Sequence, residues 1–355
     1  MQQSGPSPER ARTGIPGLDQ ILRGGLPRER VFLLTGAAGT GKTTLGFQFL
    51  LEGVHTGERA LYITLLQSRQ ELEDIAESHG WSLEGLDILE LPAEFRGGDA
   101  TRQTVFTPGD IELTEAVDAI LEGIQKHKPQ RLMLDSVSEL AILVDSHYQL
   151  RQQVLKLKHA LLQERCTALF AAGDARESLP HLQTLAHGVI ALDMEVASLI
   201  RPRRHLEVRK IRGMEYSGGR HDMRIRTGGL DVFPRLEVRT PNAFDWQLVS
   251  CGVTELDHLL GGGLETGTSC LITGTTGAGK TTIASLYLKA AAERGERSVA
   301  FCFDERRETF LRRSQKLELG LDEYVDQGLI DIRQVDVGEL SPGEFGRKVM
   351  DCVEE

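Results

Sequence analysis

The sequence predicts an α/β fold: a mostly parallel sheet flanked by helices, present as a tandem repeat whose second copy is incomplete. Three observations carry this prediction. The apolar run Val31-Phe-Leu-Leu-Thr35 leads into Gly36-Ala-Ala-Gly-Thr-Gly-Lys-Thr43 and then into apolar residues at helical spacing, Phe47, Leu50, Leu51 and Val54, which is the order strand, loop, helix. That order recurs as Ser269-Cys-Leu-Ile-Thr273, Gly274-Thr-Thr-Gly-Ala-Gly-Lys-Thr281, and then Ile283, Leu286, Tyr287 and Ala290. Strand and helix patterns alternate beyond the first copy, as crossover connections between parallel strands require.

The copies are in register. Lys42 and Lys280 are 238 residues apart, and the same offset carries Asp19 onto Asp257 and Gly25 onto Gly263 without a gap. This is a domain duplication. Residues 1–12, polar with two prolines, are expected to be a loose N-terminal segment, with order beginning at Thr13. Residues 13–233 form a first domain, 234–248 a linker with Pro234, Pro241 and Asn242, and 249–355 the N-terminal part of a second domain.

The pattern Gly-x-x-x-x-Gly-Lys-Thr is a phosphate-binding loop. Its small residues let backbone N–H groups curl around phosphate oxygens while the next helix presents its positive N-terminus. The expected nucleotide contacts are Gly36, Ala37, Ala38, Gly39, Thr40, Gly41, Lys42, Thr43 and Thr44 in the first copy. In the second they are Gly274, Thr275, Thr276, Gly277, Ala278, Gly279, Lys280, Thr281 and Thr282. Lys42 would neutralise the β- and γ-phosphates of ATP, and Thr43, like Thr281 in the second loop, would ligate Mg²⁺.

Downstream, Ala60 to Leu65 reads as a buried strand, Arg69 to His79 as a helix and Asp87 to Leu91 as a short strand. Pro92 to Gly109, with Gly97-Gly98 and no sustained period, reads as a surface loop, or alternatively a nucleotide-sensing lid. A helix from Ile111 to Lys128, stopped by Pro129, precedes the apolar strand Arg131-Leu-Met-Leu-Asp-Ser136. An acid ending such a strand about ninety residues after a phosphate loop is a Walker B pattern, so Asp135 would hold the Mg²⁺ shell with Thr43. The helix Gln149 to Glu164 then feeds a strand at Thr167 to Ala172. From His187 onward, short strands at Gly188–Asp193, His205–Ile211, Met223–Thr227 and Leu230–Phe233 read as antiparallel finishing of the sheet.

The repeat exposes two departures. Asp304-Glu305 of the second copy map onto Leu66-Gln67 of the first. A carboxylate there would orient and deprotonate the attacking water; Gln67 can orient it but cannot take the proton, so the first site should hydrolyse ATP slowly. The alternative for Asp304-Glu305 is an exposed acidic pair opening a helix. Secondly, Asp135 projects to position 373, beyond Glu355, so the second copy is expected to be a fragment of a longer protein.

Composition narrows the function. A net charge of −11 argues against a surface built to track a nucleic-acid backbone, although Arg201, Arg203, Arg204, Arg209, Lys210 and Arg212 form a local basic stretch. The cysteines Cys166, Cys251, Cys270, Cys302 and Cys352 lack disulfide-framework or metal-site spacing and read as buried cytosolic thiols. No leader-like or membrane-spanning run is present, so a cytoplasmic location without membrane association is expected.

Together with His79-Gly80-Trp81, Leu134-Asp135-Ser136, His187-Gly-Val-Ile-Ala-Leu192 and Lys210-Ile-Arg-Gly213, these features resemble the KaiC family of circadian-clock ATPases, and closest of all its bacterial members outside the clock. The resemblance, covering residues 13–355, implies tandem RecA-like domains, a hexameric ring with Mg²⁺-ATP at subunit interfaces, and a signalling role with a protein partner. It also implies that Lys210 and Arg212 reach a neighbour's γ-phosphate as an arginine finger would. Where the family carries two adjacent glutamates, this chain has Leu66-Gln67 and Asp304-Glu305. Family autophosphorylation belongs to the part of the second domain beyond residue 355. Two competing readings are a RecA-type DNA recombination or helicase ATPase, and a nucleotide-gated scaffold with incidental turnover.

Overall fold

The computed structural model describes residues 9–91, 108–143, 146–173, 180–195, 202–236, 246–336, 338 and 340–354. Most of the expected loop after Leu91, and Arg201 of the basic stretch, lie outside the described residues. The chain divides into two compact units, the first formed mainly by residues up to Leu236 and the second mainly by residues from Glu237 onward.

The first unit runs β1 (Arg10–Ala11), α1 (Pro16–Ile21), β2 (Leu26–Pro27), β3 (Val31–Thr35), α2 (Lys42–His55), β4 (Ala60–Thr64), α3 (Arg69–Ser78), β5 (Leu86–Glu90), α4 (Pro108–His127) and β6 (Arg131–Asp135). It continues through α5 (Val137–Ile142), α6 (His147–Gln163), β7 (Thr167–Ala172), α7 (Pro180–Leu185), β8 (Gly188–Glu195), β9 (Arg203–Ile211), β10 (Arg220–Arg226) and β11 (Gly229–Phe233). Nine strands form one sheet in the order β11-β10-β9-β8-β3-β7-β6-β4-β5. Every pairing from β8 to β5 is parallel, and those among β8, β9, β10 and β11 are antiparallel. This is the RecA-like P-loop architecture, with β3 at its centre.

The continuous apolar runs of β3, β4, β6 and β7 follow from burial on both faces of the sheet. Phe32, Leu34, Tyr62, Met133 and Leu169 point to one side and pack with Leu18, Ile21, Leu45 and Phe49 of α1 and α2. Val31, Leu33, Leu61, Ile63, Leu134 and Phe170, one residue out of phase, pack on the other side with Val117, Ile120, Val154 and Leu157 of α4 and α6. A buried charge sits among these runs at the start of β6. Arg131, 1% exposed, donates to Glu58 through Nε at 3.0 Å and Nη2 at 3.1 Å, and through Nη1 to the carbonyls of Arg12 and Phe49 at 2.6 and 2.8 Å, so its charge is matched and each of its three nitrogens has an acceptor.

Four sequence expectations shift. Arg10–Ala11 is already a strand paired with Leu26–Pro27 and Ala11 is fully buried, so paired structure starts before Thr13. Pro108 and Gly109 open α4 rather than ending the loop, since proline is tolerated in a first helical turn. The strand starting at Gly188 is parallel to β3 and only its other edge is antiparallel, because the helical crossover through α7 returns the chain in the β3 direction. The fourth concerns the second phosphate loop.

The second unit runs β12 (Leu248–Val249), α8 (Thr254–Leu259), β13 (Leu264–Glu265), α9 (Lys280–Glu293), β14 (Ser298–Cys302), α10 (Arg307–Lys316), α11 (Leu321–Asp326), β15 (Ile330–Gln334) and α12 (Pro342–Glu354). From β12 to α10 each element sits 238 residues after its counterpart, end for end. The expected strand at 269–273 is not formed, Leu271 is 85% exposed, and Cys270, expected to be buried, is exposed with it, whereas Cys166 and Cys251 are buried. Its counterpart β3 is held by ladders to β7 and β8, whose images under the offset fall beyond residue 355; without flanking strands, its backbone groups have no ladder to join.

Candidate functional site

The first phosphate loop lies at the carboxyl end of the central strand, where doubly wound sheets bind ligands. Its turns need glycine at two points: Gly39 and Gly41 have φ of 76° and 108°, and a Cβ at Gly41 would come within 2.9 Å of Ile225 Cδ1. Lys42 folds back over the loop, its Nζ donating to the carbonyls of Gly36 at 2.6 Å and Ala37 at 3.0 Å. Burial lowers its pKa, against a rise from the Asp135 charge. Thr43 Oγ1 donates to Asp135 Oδ2 at 3.0 Å, which joins α2 to the end of β6 across 92 residues of sequence.

These groups border a cleft of about 640 Å³ lined by Gly36, Ala38, Gly39, Gly41, Lys42, Thr43 and Thr44 on the loop side and by Leu66, Gln67, Asp135, Ser136, Ser138 and Glu139 opposite. Ile75, Ser78, His79, Gly173 and Ile225 complete it. Its size suits a nucleotide. Among the described residues no group of three His, Cys, Asp or Glu side chains could hold a metal by itself. Mg²⁺ commonly binds through one or two protein ligands together with phosphates and water, and Thr43 and Asp135 could supply them here.

Gln67 is placed by local sequence. Ser68 caps α3 by accepting from the Glu71 N–H, the Glu71 carboxylate accepts in return from the Ser68 N–H at 2.6 Å, and the pair forms a capping box. Just before it, Thr64 Oγ1 donates to the Gln67 carbonyl at 2.9 Å and accepts from the Gln67 N–H at 3.0 Å. The residue at position 67 therefore borders the cleft from a fixed turn beyond β4.

Lys210 and Arg212 lie elsewhere. Gly188 pairs with both Phe32 and Ile211, which sets the end of β9 level with the start of β3, at the opposite edge of the sheet from the phosphate loop. There Lys210 Nζ donates to the carbonyls of Gln183 and Ala186 at 2.7 and 3.1 Å, Arg212 Nη2 to that of Thr184 at 3.0 Å, and Lys158 Nζ to that of Leu185 at 2.7 Å. Three cations thus satisfy the C-terminal carbonyls of α7. Burial, then the Arg212 and Lys158 charges, lower the Lys210 pKa. The basic stretch is consequently spread along β9: Arg204 approaches the Gly39 carbonyl of the loop at 3.4 Å, while Arg209 pairs with Glu207 at 3.2 Å.

In the second unit, Lys280 Nζ donates to the carbonyls of Gly274 and Thr275, both at 2.9 Å, and Gly277 and Gly279 have φ of 84° and 91°. The lysine and glycine geometry of the first copy is repeated. Asp304 is exposed, and Glu305 accepts from Arg313 Nη1 of α10 at 2.8 Å. Position 313 corresponds to Ile75 in the first copy, so there both the acid and its cation are replaced, by Gln67 and Ile75.

The structure adds residues that sequence reasoning missed. Tyr62 donates to Asp135 Oδ2 at 2.7 Å, and burial, then the Asp135 charge, raise its pKa well above the usual range, so it remains a donor. Ser138 Oγ accepts from the Gly173 N–H at 2.8 Å and ties α5 to the end of β7. His79, singled out only within a family motif, lines the cleft and lies over Trp81 with ring centroids 4.6 Å apart. Glu139 lines the cleft four residues past Asp135; the acid in Asp-Ser-Val-Ser-Glu was visible in the sequence, but its direction was not.

A family profile describing the KaiC ATPase matches residues 11–237 and 249–347. The circadian clock oscillator protein KaiC of Acaryochloris marina is 30% identical over 335 residues, covering 90% of this chain and 62% of its own length. The circadian clock oscillator protein KaiC 1 of Synechocystis is 30% identical over 334 residues, covering 91% of this chain and 63% of its own. That of Thermosynechococcus vestitus is 30% identical over 337 residues, covering 93% and 64%. The chain thus spans less than two thirds of the length of these relatives.

Proposed function

Because the chain belongs to the KaiC family of ATPases, we propose that its first domain binds Mg²⁺-ATP at the interfaces of a hexameric ring and hydrolyses it slowly as part of a signalling device. The observation that carries this is the Thr43–Asp135 hydrogen bond beneath Lys42: the three groups that P-loop enzymes use for the metal and the terminal phosphates converge in one cleft. The position of Lys210 and Arg212 supports action across a subunit boundary, since neither reaches its own phosphate loop. On ring assembly they would exchange the α7 carbonyls for a neighbour's γ-phosphate, where added positive charge stabilises the transferring phosphoryl group. Autokinase activity belongs to a longer chain carrying the rest of the second domain.

The spread of the basic stretch along β9 counts against a nucleic-acid groove. Among the described residues no helix is long and apolar enough to cross a membrane. One observation favours the scaffold reading in part: Gln67 borders the cleft where a proton-accepting acid would serve hydrolysis. The deciding experiment measures ATP retained by the purified chain against phosphate released, with light scattering of wild type and Lys42→Ala. We expect slow phosphate release from a ring that Lys42→Ala disperses. Retained ATP with no release would leave the scaffold; unchanged mass in a Lys42→Ala chain lacking nucleotide would remove ATP from the interface.

A further inference from the structure

The first cleft contains a carboxylate that the strand–loop–helix motif does not account for. Glu139 stands in the first turn of α5, and it lines the same cleft as Lys42, Thr43 and Gln67. Asp135 is already engaged, accepting from Thr43 and from Tyr62. The Glu139 carboxylate, in contrast, makes no hydrogen bond or ion pair among the described residues. Burial, then the Asp135 charge, raise its pKa, the shift of a half-buried acid without a cation.

Its position relative to Gln67 follows from the sheet. β4 and β6 are parallel neighbours that end level with each other, Thr64 opposite Asp135. Gln67 comes three residues after the first end and Glu139 four residues after the second, so both border the cleft from adjacent strand ends. A free carboxylate adds nothing to holding a triphosphate and opposes it by like charge. What it can supply, and the amide of Gln67 cannot, is a proton acceptor.

We propose that Glu139 is the proton acceptor for ATP hydrolysis at the first site, acting from β6 in place of the acid absent at position 67. The proposal rests on the reading of this cleft as an ATPase site. In the step, the water oxygen forms a bond to the γ-phosphorus while the bond from that phosphorus to the β–γ bridging oxygen breaks, its electron pair leaving with ADP. The water proton passes to the Glu139 carboxylate and afterwards to solvent. Gln67 orients the water through its side-chain amide.

The test uses the full chain in a Lys280→Ala background, with bound ATP and released phosphate measured on the same samples. Glu139→Gln is expected to lower turnover about 100-fold or more while ATP affinity changes less than about threefold, and Glu139→Asp to fall in between. Adding Gln67→Glu to Glu139→Gln should restore turnover at least in part, because it returns a proton acceptor to the cleft. Wild-type turnover in Glu139→Gln would overturn the proposal alone. Parallel loss of ATP binding in Glu139→Gln and Glu139→Asp, or no recovery in the double variant, would assign Glu139 to the architecture of α5 and overturn it likewise. An ATP-bound Lys280→Ala parent that releases no phosphate would remove the ATPase reading itself, and Glu139's role with it.

Discussion

Leu33 and Leu271 occupy equivalent places in the two halves, yet Leu33 is 3% exposed and Leu271 85%. Around them the halves agree closely: α2 and α9 have the same length, both lysines fold onto their own loop carbonyls, and the glycines take the same left-handed turns. The loop and its helix are therefore local products of their residues, formed with or without a sheet beneath them. The strand that should carry the loop is not local. In the first half it is clamped by β7 and β8, and in the second those partners are outside the chain, so 269–273 stays unpaired. A phosphate loop can form without its sheet, whereas the Walker B acid that completes a site must arrive on another strand.

The largest expected effect sharpens the contrast between a complete and an incomplete site. Arg212→Ala should leave the first unit folded but reduce ring-dependent ATP turnover by about 10³-fold or more, the usual scale for a charge acting on a transferring phosphoryl group. Mixing it with Lys42→Ala subunits should restore part of the activity, because each variant supplies what the other lacks. Mixed rings that never exceed either parent would remove action in trans.

A gain of function tests the Gln67 departure. Gln67→Glu in the Lys280→Ala background should raise phosphate release by no more than about tenfold without tightening ATP binding, since Glu139 already offers a proton acceptor and the neighbouring Ile75 offers no cation to orient the new acid. A gain near 10²-fold would mean that the wild-type cleft has no working acceptor and would count against Glu139.

Glu58 and Glu296, also equivalent, should differ in stability. Burial works to raise the Glu58 pKa, but hydrogen bonds from Arg131 and Arg28 hold it down to about 2, and the side chain is 9% exposed. Glu296 pairs with Arg294 at the surface, and the hydrogen bond from Arg294 lowers its pKa. Glu58→Gln should cost about 3–5 kcal/mol by leaving Arg131 buried without its counter-ion, whereas Glu296→Gln should be nearly silent. Because the folded pKa of Glu58 lies below its ordinary 4.5, its contribution is full above about pH 4.5 and is lost as pH falls toward 2. Urea midpoints at pH 7 and pH 3 should therefore converge for wild type and Glu58→Gln. A constant gap would assign the cost to packing.

The smallest effect returns to the two leucines. Leu33→Ala should cost about 2–5 kcal/mol and Leu271→Ala less than about 0.5 kcal/mol, read by urea unfolding of the present chain. A comparable cost at both sites would show that 269–273 is packed in solution.

The sequence by itself determined the two phosphate loops, the helices that follow them, the duplication and the acid ending β6, because each is encoded in contiguous spacing: glycines at fixed intervals, helical periodicity, an apolar run and its terminal Asp135. The capping box that fixes the turn before α3 is likewise contiguous, in Ser68-Arg-Gln-Glu71. Tertiary structure alone decided which of these pieces form a site. It brought Thr43 to Asp135, turned Glu139 into the cleft, buried Arg131 inside a run read as apolar, and set Lys210 and Arg212 at the far end of the sheet from their own loop. It also left 269–273 outside any ladder although its residues are as strand-like as those of β3. The physical reason is common to all of these: strand pairing and side-chain convergence depend on residues far away in sequence, and no local spacing records whether those partners are present.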